Sequence, residues 1–582
     1  MPGFTISTYA KSAPLENILP TNYINNDLIY DSTICQRSTL NKFLDDKAFF
    51  QDDSYICISE GAILNKKNLF SQYNVNSVFD LFKKMYAQDG EAFFSSFRGS
   101  FSGALFDKNK KRWIIYTNHY GDGFVFYFYR DRNFVFASQM NYIIDILKTN
   151  NITFSLHEGA LYNLLTYGYM PDEFTCVSGI KRLLPGQYAV IEENEFTVKT
   201  YWQLKKNKYD LSNKSEVEII DEMDSLFREA VKLEYEKDKE YGFHHLSSLS
   251  GGLDSRMTTW VAYSLGYTDI VNINYCQSNN PDELIAKKIA CSLGTDFLSM
   301  PMDSAHCMLD VAINMQMSQG CIWYNSITGW RRLLENLNLN KFGLNHTGQM
   351  GDSVVGSDMS SFTDLYREGL QLSYSKFFAS KISGNWKDKY SDRELYIFHC
   401  ENFMGMLGAH SIIRNYVDVS SPFLNIEFME YCMSIPLQYR IKHKIYFKWM
   451  QTKYPQAAAF AWEKTGFPIY TSSYFFILLN GLSFLKRAIA FSIRKLNSCT
   501  GWKLYINKKS MNPMDLWYND NHNISKFFDD FFANKINNSA ISDNVRSDLR
   551  DMFFNGSVID KQLVLSVLAL VDIFFNKNEQ EA

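Results

Sequence analysis

"SLSGGLDSR", residues 248–256, is the stretch on which the reading of this chain turns. Before it, "YGFHHLSSL" reads as a short strand. After it, "RMTTWVAYSLG" is apolar at helical spacing and closed by Gly266. The stretch is therefore a strand, a tight glycine turn and a helix start. In such a turn, backbone N–H groups and the helix dipole face any anion that sits there. A plain phosphate cradle has no use for the carboxylate of Asp254. A cation bridging that carboxylate to phosphates gives it one. The turn lacks the G-x-x-x-x-G-K-[ST] pattern of a Walker A loop. No third glycine follows at the offset of a dinucleotide fingerprint. Gly251 and Gly252 alone fit any α/β domain, but the full string is more specific.

A second stretch, "LNHTGQMGDSVVGS" (344–357), carries Gly348, Gly351 and Gly356 around Asp352. In a doubly wound sheet, ligands bind at the carboxyl ends of the strands, where two glycine loops from different strands meet. Asp254 and Asp352 are then placed to share Mg²⁺, which prefers carboxylate and phosphate oxygens. The plainer alternative is that Asp352 caps the following helix. A third stretch, "PLQYRIKHKIYFKWM" (436–450), holds Arg440, Lys442, Lys444 and Lys448. It is either a solvated helix face or the source of one lysine that neutralises charge during acyl transfer. Lys444 and Lys448 lie one helical turn apart, and Lys444 is the expected one.

Around these stretches the chain divides in two. Residues 1–205 show short apolar or alternating runs, among them "SYICISEGAILN", "RWIIYTN" and "GFVFYFYRD", as in packed antiparallel sheets. "MNYIIDILKT" and "HEGALYNLLTYGYM" read as helices among them. The polar run 205–216 reads as a linker. Residues 215–582 open with an amphipathic helix capped by Ser215. They then alternate strand and helix from Gly242, as in a parallel sheet, and turn largely helical after about 305.

The chain of 582 residues carries a net charge of −4, which argues against non-specific nucleic-acid binding. Its 10 cysteines contain no C-x-x-C pair, so neither a zinc site nor a disulfide framework is signalled. No apolar h-region follows the N-terminus, which points to a cytoplasmic protein. The apolar stretch 474–496 contains Lys486, Arg487, Arg494 and Lys495, too many charges for a spanning helix. It reads first as a helix packed on its own domain. Peripheral membrane contact through this stretch stays open, as does a homodimer.

The string Ser250-Gly251-Gly252-Leu253-Asp254-Ser255 resembles the pyrophosphate loop of the ATP pyrophosphatase superfamily. Most of the chain resembles the asparagine synthetase B family and its relatives. These include β-lactam synthetases, lasso-peptide cyclases and asparagine synthase-like proteins of polysaccharide gene clusters. "HTGQMGDSVVGS" is similar to the family's second loop. "SSPFLNIEFMEYCMSIPLQYR" is similar to its R-x-P-F-L-D segment. "HKIYFKWM" with "WEKTGFPIY" is similar to its C-terminal lysine region. "GSFSGALFD", "NHYGDGFVFYF" and "LLTYGYMPDEFTCVSGIKRLLPGQYAVI" resemble a class II glutamine amidotransferase domain.

The resemblance implies an α/β protein. Its 1–205 half would be an Ntn-type αββα two-sheet sandwich. Its 215–582 half would be an ATP pyrophosphatase domain with a parallel sheet and a helical C-terminal part. It implies an AMP-forming amide ligase that adenylates a small-molecule or peptide carboxylate and passes the acyl group to an amine or ammonia. ATP is expected on Leu249, Ser250, Gly251, Gly252, Asp254, Ser255, Thr347 and Gly348. Mg²⁺ is expected on Asp254 and Asp352, with Gln349 and Lys444 at the acyl centre.

The departures are as informative. The family's glutaminase uses an N-terminal cysteine, where Pro2 stands here and Cys35 is the first cysteine, so glutaminase activity is expected to be absent. Gln349 stands at an acidic or tyrosine position, Ser353 and Asn425 replace acids, and Ser420 replaces an arginine. Gln349 and Asn425 favour a second reading, a binding or scaffold protein that has kept the fold without catalysis. A third reading, an RNA-modifying pyrophosphatase, is opposed by the acidic net charge.

Overall fold

The structure is a computed structural model that describes residues 2–15, 23–193, 195–357, 359, 373–382, 392–470 and 510–575. The stretch 474–496 lies outside the described residues. The N-terminal half contains two six-stranded antiparallel sheets among the described residues. One sheet runs, in spatial order, Ile180–Arg182, Phe126–Arg130, Asn133–Ala137, Gly3–Ser7, Thr33–Leu40 and Tyr23–Tyr30. The other runs Glu195–Thr200, Gln187–Glu192, Arg112–Thr117, Phe101–Asp107, Tyr55–Gly61 and Phe49–Gln51.

Side chains alternate along each strand, so each sheet has two apolar faces to cover. Phe4, Ile6 and Phe136 of the first sheet interlock with Ile58, Ala104 and Ile115 of the second to form the sandwich core. The outer face of the second sheet, with Leu105 and Ile114, is covered by the helices Lys66–Tyr73 and Val78–Asp89. The outer face of the first, with Phe126 and Val135, is covered by Met140–Thr149 and Glu158–Tyr167. The result is four layers in the order helix, sheet, sheet, helix.

The second half is built on a five-stranded sheet ordered Asp296–Pro301, Ile270–Cys276, His244–Ser248, Phe342–His346, Val419–Ser420, with every neighbouring pair parallel. Chain order reverses between His244–Ser248 and Phe342–His346. That reversal opens the crevice in which doubly wound sheets bind ligands. The 25-residue helix Glu216–Glu240 begins with a capping box between Ser215 and Glu218. Its Phe227 and Val231 pack with Met257, Val261 and Ile289 from the two helices that follow the first strands.

The run expected to be a free linker is pinned instead. Lys206 pairs with Asp392 at 2.8 Å and with Glu394 at 2.6 Å, and Lys208 pairs with Glu430. Its charges made it look solvated in the sequence, but the partners of Lys206 and Lys208 lie 186 to 222 residues downstream. Buried ions join the halves elsewhere too. Asp46 accepts from Lys66 at 2.6 Å and Lys237 at 2.9 Å. Among the described residues, no helix is long and apolar enough to cross a membrane.

Candidate functional site

The loop 249–253 leaves the carboxyl end of the strand His244–Ser248 and enters the helix Asp254–Ser264. The residue before that helix, Leu253, makes no side-chain cap, so the first N–H groups stay available to a ligand. The loop is held from outside. Gly251 N–H donates to Asp282 Oδ1 at 2.9 Å, and Asn274 Nδ2 steadies Asp282 Oδ2 at 3.0 Å. Buried Arg256 donates to the carbonyls of Gly251 (3.0 Å), Ala457 (3.1 Å) and Ala461 (2.7 Å). Burial lowers its pKa to about 10, and the charge of Glu463 partly opposes that. Ser250 N–H donates to Ser255 Oγ at 2.9 Å, and Gly252 N–H to Ser250 Oγ at 3.1 Å.

The second loop leaves the adjacent strand Phe342–His346. Thr347 N–H and Oγ1–H both donate to Ser420 O, at 2.9 and 3.1 Å. Met350 sits in the left-handed region at φ 72°, which turns Asp352 back toward the first loop. The two loops touch. Asp352 N–H donates to Asp254 Oδ2 at 3.1 Å, and Thr258 Oγ1–H donates to Thr347 O at 3.0 Å. A methyl group at Gly348 would stand 2.1 Å from the Ser255 nitrogen, and one at Gly351 would stand 2.6 Å from Asp254 Oδ1. Only glycine permits this approach.

Asp254 is half-buried, and Tyr446 O–H donates to its Oδ1 at 2.7 Å. Burial, and then the Asp352 carboxylate, raise its pKa well above the usual range. Two carboxylates set against each other in this way favour a proton or a cation between them.

A cavity of about 370 Å³ opens over both loops. Ser250, Gly252, Asp254, Ser255, Thr347, Gly348, Gln349 and Asp352 line it, and so does Leu249. Gly251 is not in its wall, but anchors the loop through its N–H and carbonyl. The apolar part of the wall includes Ile273, Trp330, Leu333 and Met406, with Tyr275 stacked on Trp330 at 6.2 Å.

Lys444 is not there. It is exposed and donates to Gln438 O at 3.2 Å. The basic run does not form one helix. Lys442 and His443 both adopt left-handed φ, 57° and 56°, and the helix begins only at Lys444. That kink turns His443 into the cavity and Lys444 away from it. Arg440 is buried on Glu394 at 2.9 Å, and Lys448 pairs with Glu216. The lysine in the cavity wall is Lys464, whose Nζ lies 3.9 Å from Asp352 Oδ2. Its neighbour Glu463 also faces in, with buried Oε2 lacking a hydrogen-bond partner, as does His443 Nδ1. Burial raises the pKa of Glu463 and lowers that of His443.

Sequence reasoning passed over Asp282, His443, Tyr446, Glu463 and Lys464. Lys464 had a signal, because "WEKTGFPIY" was already part of the recognised lysine region. His443, Tyr446 and Glu463 lie in the same two quoted strings, "HKIYFKWM" and "WEKTGFPIY", and Asp282 has no signal short of the fold. The departures have local explanations. Asn425 caps the helix Ile426–Ser434, accepting from Phe428 N–H at 3.0 Å. Ser420 donates to buried Glu234 at 2.6 Å.

Beneath the second loop, Asp238, His245 and His346 converge with ligand atoms within 4.8 Å of one another. His346 Nε2 lies 2.7 Å and His245 Nδ1 2.9 Å from Asp238 Oδ2, and Glu234 takes His346 Nδ1 at 3.2 Å. Burial opposes a proton on His346, but Asp238 and then Glu234 outweigh it and raise its pKa to about 9. These contacts describe a closed charge network with its atoms already paired.

With the geometry established, comparison with known proteins bears on the first half. Residues 48–202 match the family model of a glutamine amidotransferase domain. This is a glutamine amidotransferase-like domain. Among solved structures, glutamine phosphoribosylpyrophosphate amidotransferase from B. subtilis, complexed with ADP and GMP, is similar at 9% identity and a TM-score of 0.22. That match covers 46% of this chain and 76% of the other. A structure described as the allosteric regulatory enzyme of purine biosynthesis is similar at 8% identity and a TM-score of 0.23, over 47% of this chain and 58% of the other. No curated protein sequence matches the chain. The assignment of the amidotransferase-like domain rests on the sequence match.

Proposed function

We propose that the protein is an ATP-dependent, AMP-forming amide ligase whose centre is the cavity over the two glycine loops. The observation that carries this reading is the meeting of the loops with Asp254 and Asp352 side by side. The oxygen-only donor set of that pair, with the pKa of Asp254 raised by burial and by Asp352, suits a hard cation such as Mg²⁺. When bound there, Mg²⁺ supplies charge neutralisation for phosphate oxygens.

The N–H groups at the start of the helix Asp254–Ser264 hold the pyrophosphate portion of ATP, while the N–H groups of Ser250, Gly251 and Gly252 hold the loop in shape. A substrate carboxylate oxygen attacks the α-phosphorus, the bond to the bridging oxygen breaks, and pyrophosphate leaves into the loop. An amine nitrogen then attacks the acyl carbon of the acyl-adenylate. The bond to AMP breaks and the amine loses a proton to solvent. Tyr446 fixes the orientation of the Asp254 carboxylate. Lys464 is the cation placed to stabilise the oxyanion of the second step, the role first assigned to Lys444. Gln349 faces the same cavity.

The amidotransferase-like domain contributes no glutaminase in this reading. Cys35, Cys57 and Cys176 are all buried. Burial pushes the Cys35 and Cys176 thiols up to about 12 and raises Cys57 as well. Such thiols are poor nucleophiles. The test is ATP turnover with Mg²⁺ and a panel of carboxylic acids. AMP and pyrophosphate should form in equal amounts, and Asp254→Ala should abolish both. Formation of ADP and phosphate instead would refute the reading.

A further inference from the structure

Gln349 is the lining residue whose side chain reaches away from the nucleotide loops. Its backbone is fixed, because its carbonyl accepts from Ser421 Oγ–H at 2.8 Å and its N–H donates to Thr347 Oγ1 at 3.4 Å. What remains to be set is the orientation of its amide, since either end of that group can face the cavity. His410 decides it. His410 Nε2 lies 2.5 Å from Gln349 Oε1, and the ring's other nitrogen, Nδ1, lies 2.6 Å from Asp122 Oδ2.

Asp122 belongs to the amidotransferase-like domain and is fully buried. Burial raises its pKa, but Arg414 and the His410 contact outweigh it and hold the carboxyl at about 2. Ser100 Oγ–H donates to Oδ2 at 2.6 Å, Asn118 Nδ2–H to Oδ1 at 2.8 Å, and Arg414 to the Asp122 carbonyl at 2.5 Å. An anion held this firmly fixes the ring beside it, as a carboxylate fixes a metal-bound or catalytic imidazole.

We propose that Asp122 acts through His410, whose two ring nitrogens both donate, Nδ1–H to Asp122 Oδ2 and Nε2–H to Gln349 Oε1, to hold Gln349 with its carbonyl oxygen on the ring and its NH₂ turned into the cavity. The amidotransferase-like domain is then a positioning element of the second domain's site. Asp122 and His410 are positioning residues. The group they present is a neutral donor, suited to an acyl or carboxylate oxygen and indifferent to a cationic substrate group. This inference rests on the proposed ligase site for its purpose, but not for the linkage itself.

The test uses the full chain with ¹⁵N-labelled histidine, the His410 ring signals being assigned by their loss in His410→Gln. Gln349→Met removes the amide without touching Asp122, and the His410 Nε2 signal should shift in it. Asp122→Asn should shift both ring nitrogens. An unchanged His410 spectrum in folded Gln349→Met overturns the linkage, even if Asp122→Asn fails to fold. Pyrophosphate release from ATP then separates the two claims. Asp122→Asn and Gln349→Met should each slow it, and the double variant should be no slower than Gln349→Met, because residues acting as one unit are not additive. Effects that multiply overturn the positioning role. A ring shift without any ATP turnover in the wild type leaves the linkage standing and refutes the ligase reading.

Discussion

Gly348→Ala isolates the meeting of the two loops. Gly348 does not sit at positive φ, so alanine meets no backbone strain there and the effect is steric. The new methyl would stand 2.1 Å from the Ser255 nitrogen and 2.4 Å from the Asp254 carbonyl carbon. Both are backbone atoms of the helix start and cannot rotate aside. The loops must separate by about 1 Å, and a misplacement of that size costs about 10²-fold in rate. Overpacking of this kind costs about 1–3 kcal/mol of stability, so the fold survives at moderate temperature. The assay is pyrophosphate release from ATP and Mg²⁺, with thermal unfolding of the same preparation as the control for folding. Lys444→Ala, exposed and outside the cavity, serves as the comparison and should turn over ATP at the wild-type rate. A folded Gly348→Ala that keeps full turnover would refute the claim that contact between the loops builds the site.

Other expectations follow from the same geometry. Lys464→Met should retain adenylation, read as ATP–pyrophosphate exchange, but lose about 10²–10³ in amide formation; equal loss of both would place the lysine elsewhere in the mechanism. His346, raised from 6.5 to about 9, contributes stability that is fully present below pH 6.5 and lost as pH rises through 9. At 1.36 kcal/mol per unit, the loss across that window is on the order of 3 kcal/mol. Denaturant unfolding at pH 6 and pH 9.5 should show it, and His346→Gln should flatten the difference. Incubation with glutamine should yield no glutamate, and a glutamine-directed alkylating agent should leave buried Cys35 unlabelled; release of glutamate would overturn the structural role given to the first domain.

The sequence made the parallel sheet and both loops readable because their information is local. A glycine turn between a strand and a helix can be seen in nine residues, and Asp254 and Asp352 sit inside such turns. The strand Tyr23–Tyr30, "YINNDLIY", was not readable, because it is an edge strand with no buried residue and no apolar alternation. The basic run was misread for a related reason. Composition shows four cations, but the two left-handed residues Lys442 and His443 decide which way each points. Asp282, Tyr446 and Glu463 reach the cavity from three separate segments, and their meeting exists only in the folded chain. The same holds for Asp122 and His410, which are 288 residues apart.

The central claim is that Asp254 and Asp352 serve an adenylation site. The most direct measurement supplies the full chain with ATP labelled at the α-phosphate, Mg²⁺, a carboxylic acid panel and hydroxylamine as the amine. The account expects labelled AMP and an acyl hydroxamate in equal amounts, both lost in Asp254→Ala and in Asp352→Ala while the far-ultraviolet circular dichroism is unchanged. Labelled ADP, or AMP that persists in both variants, would contradict it.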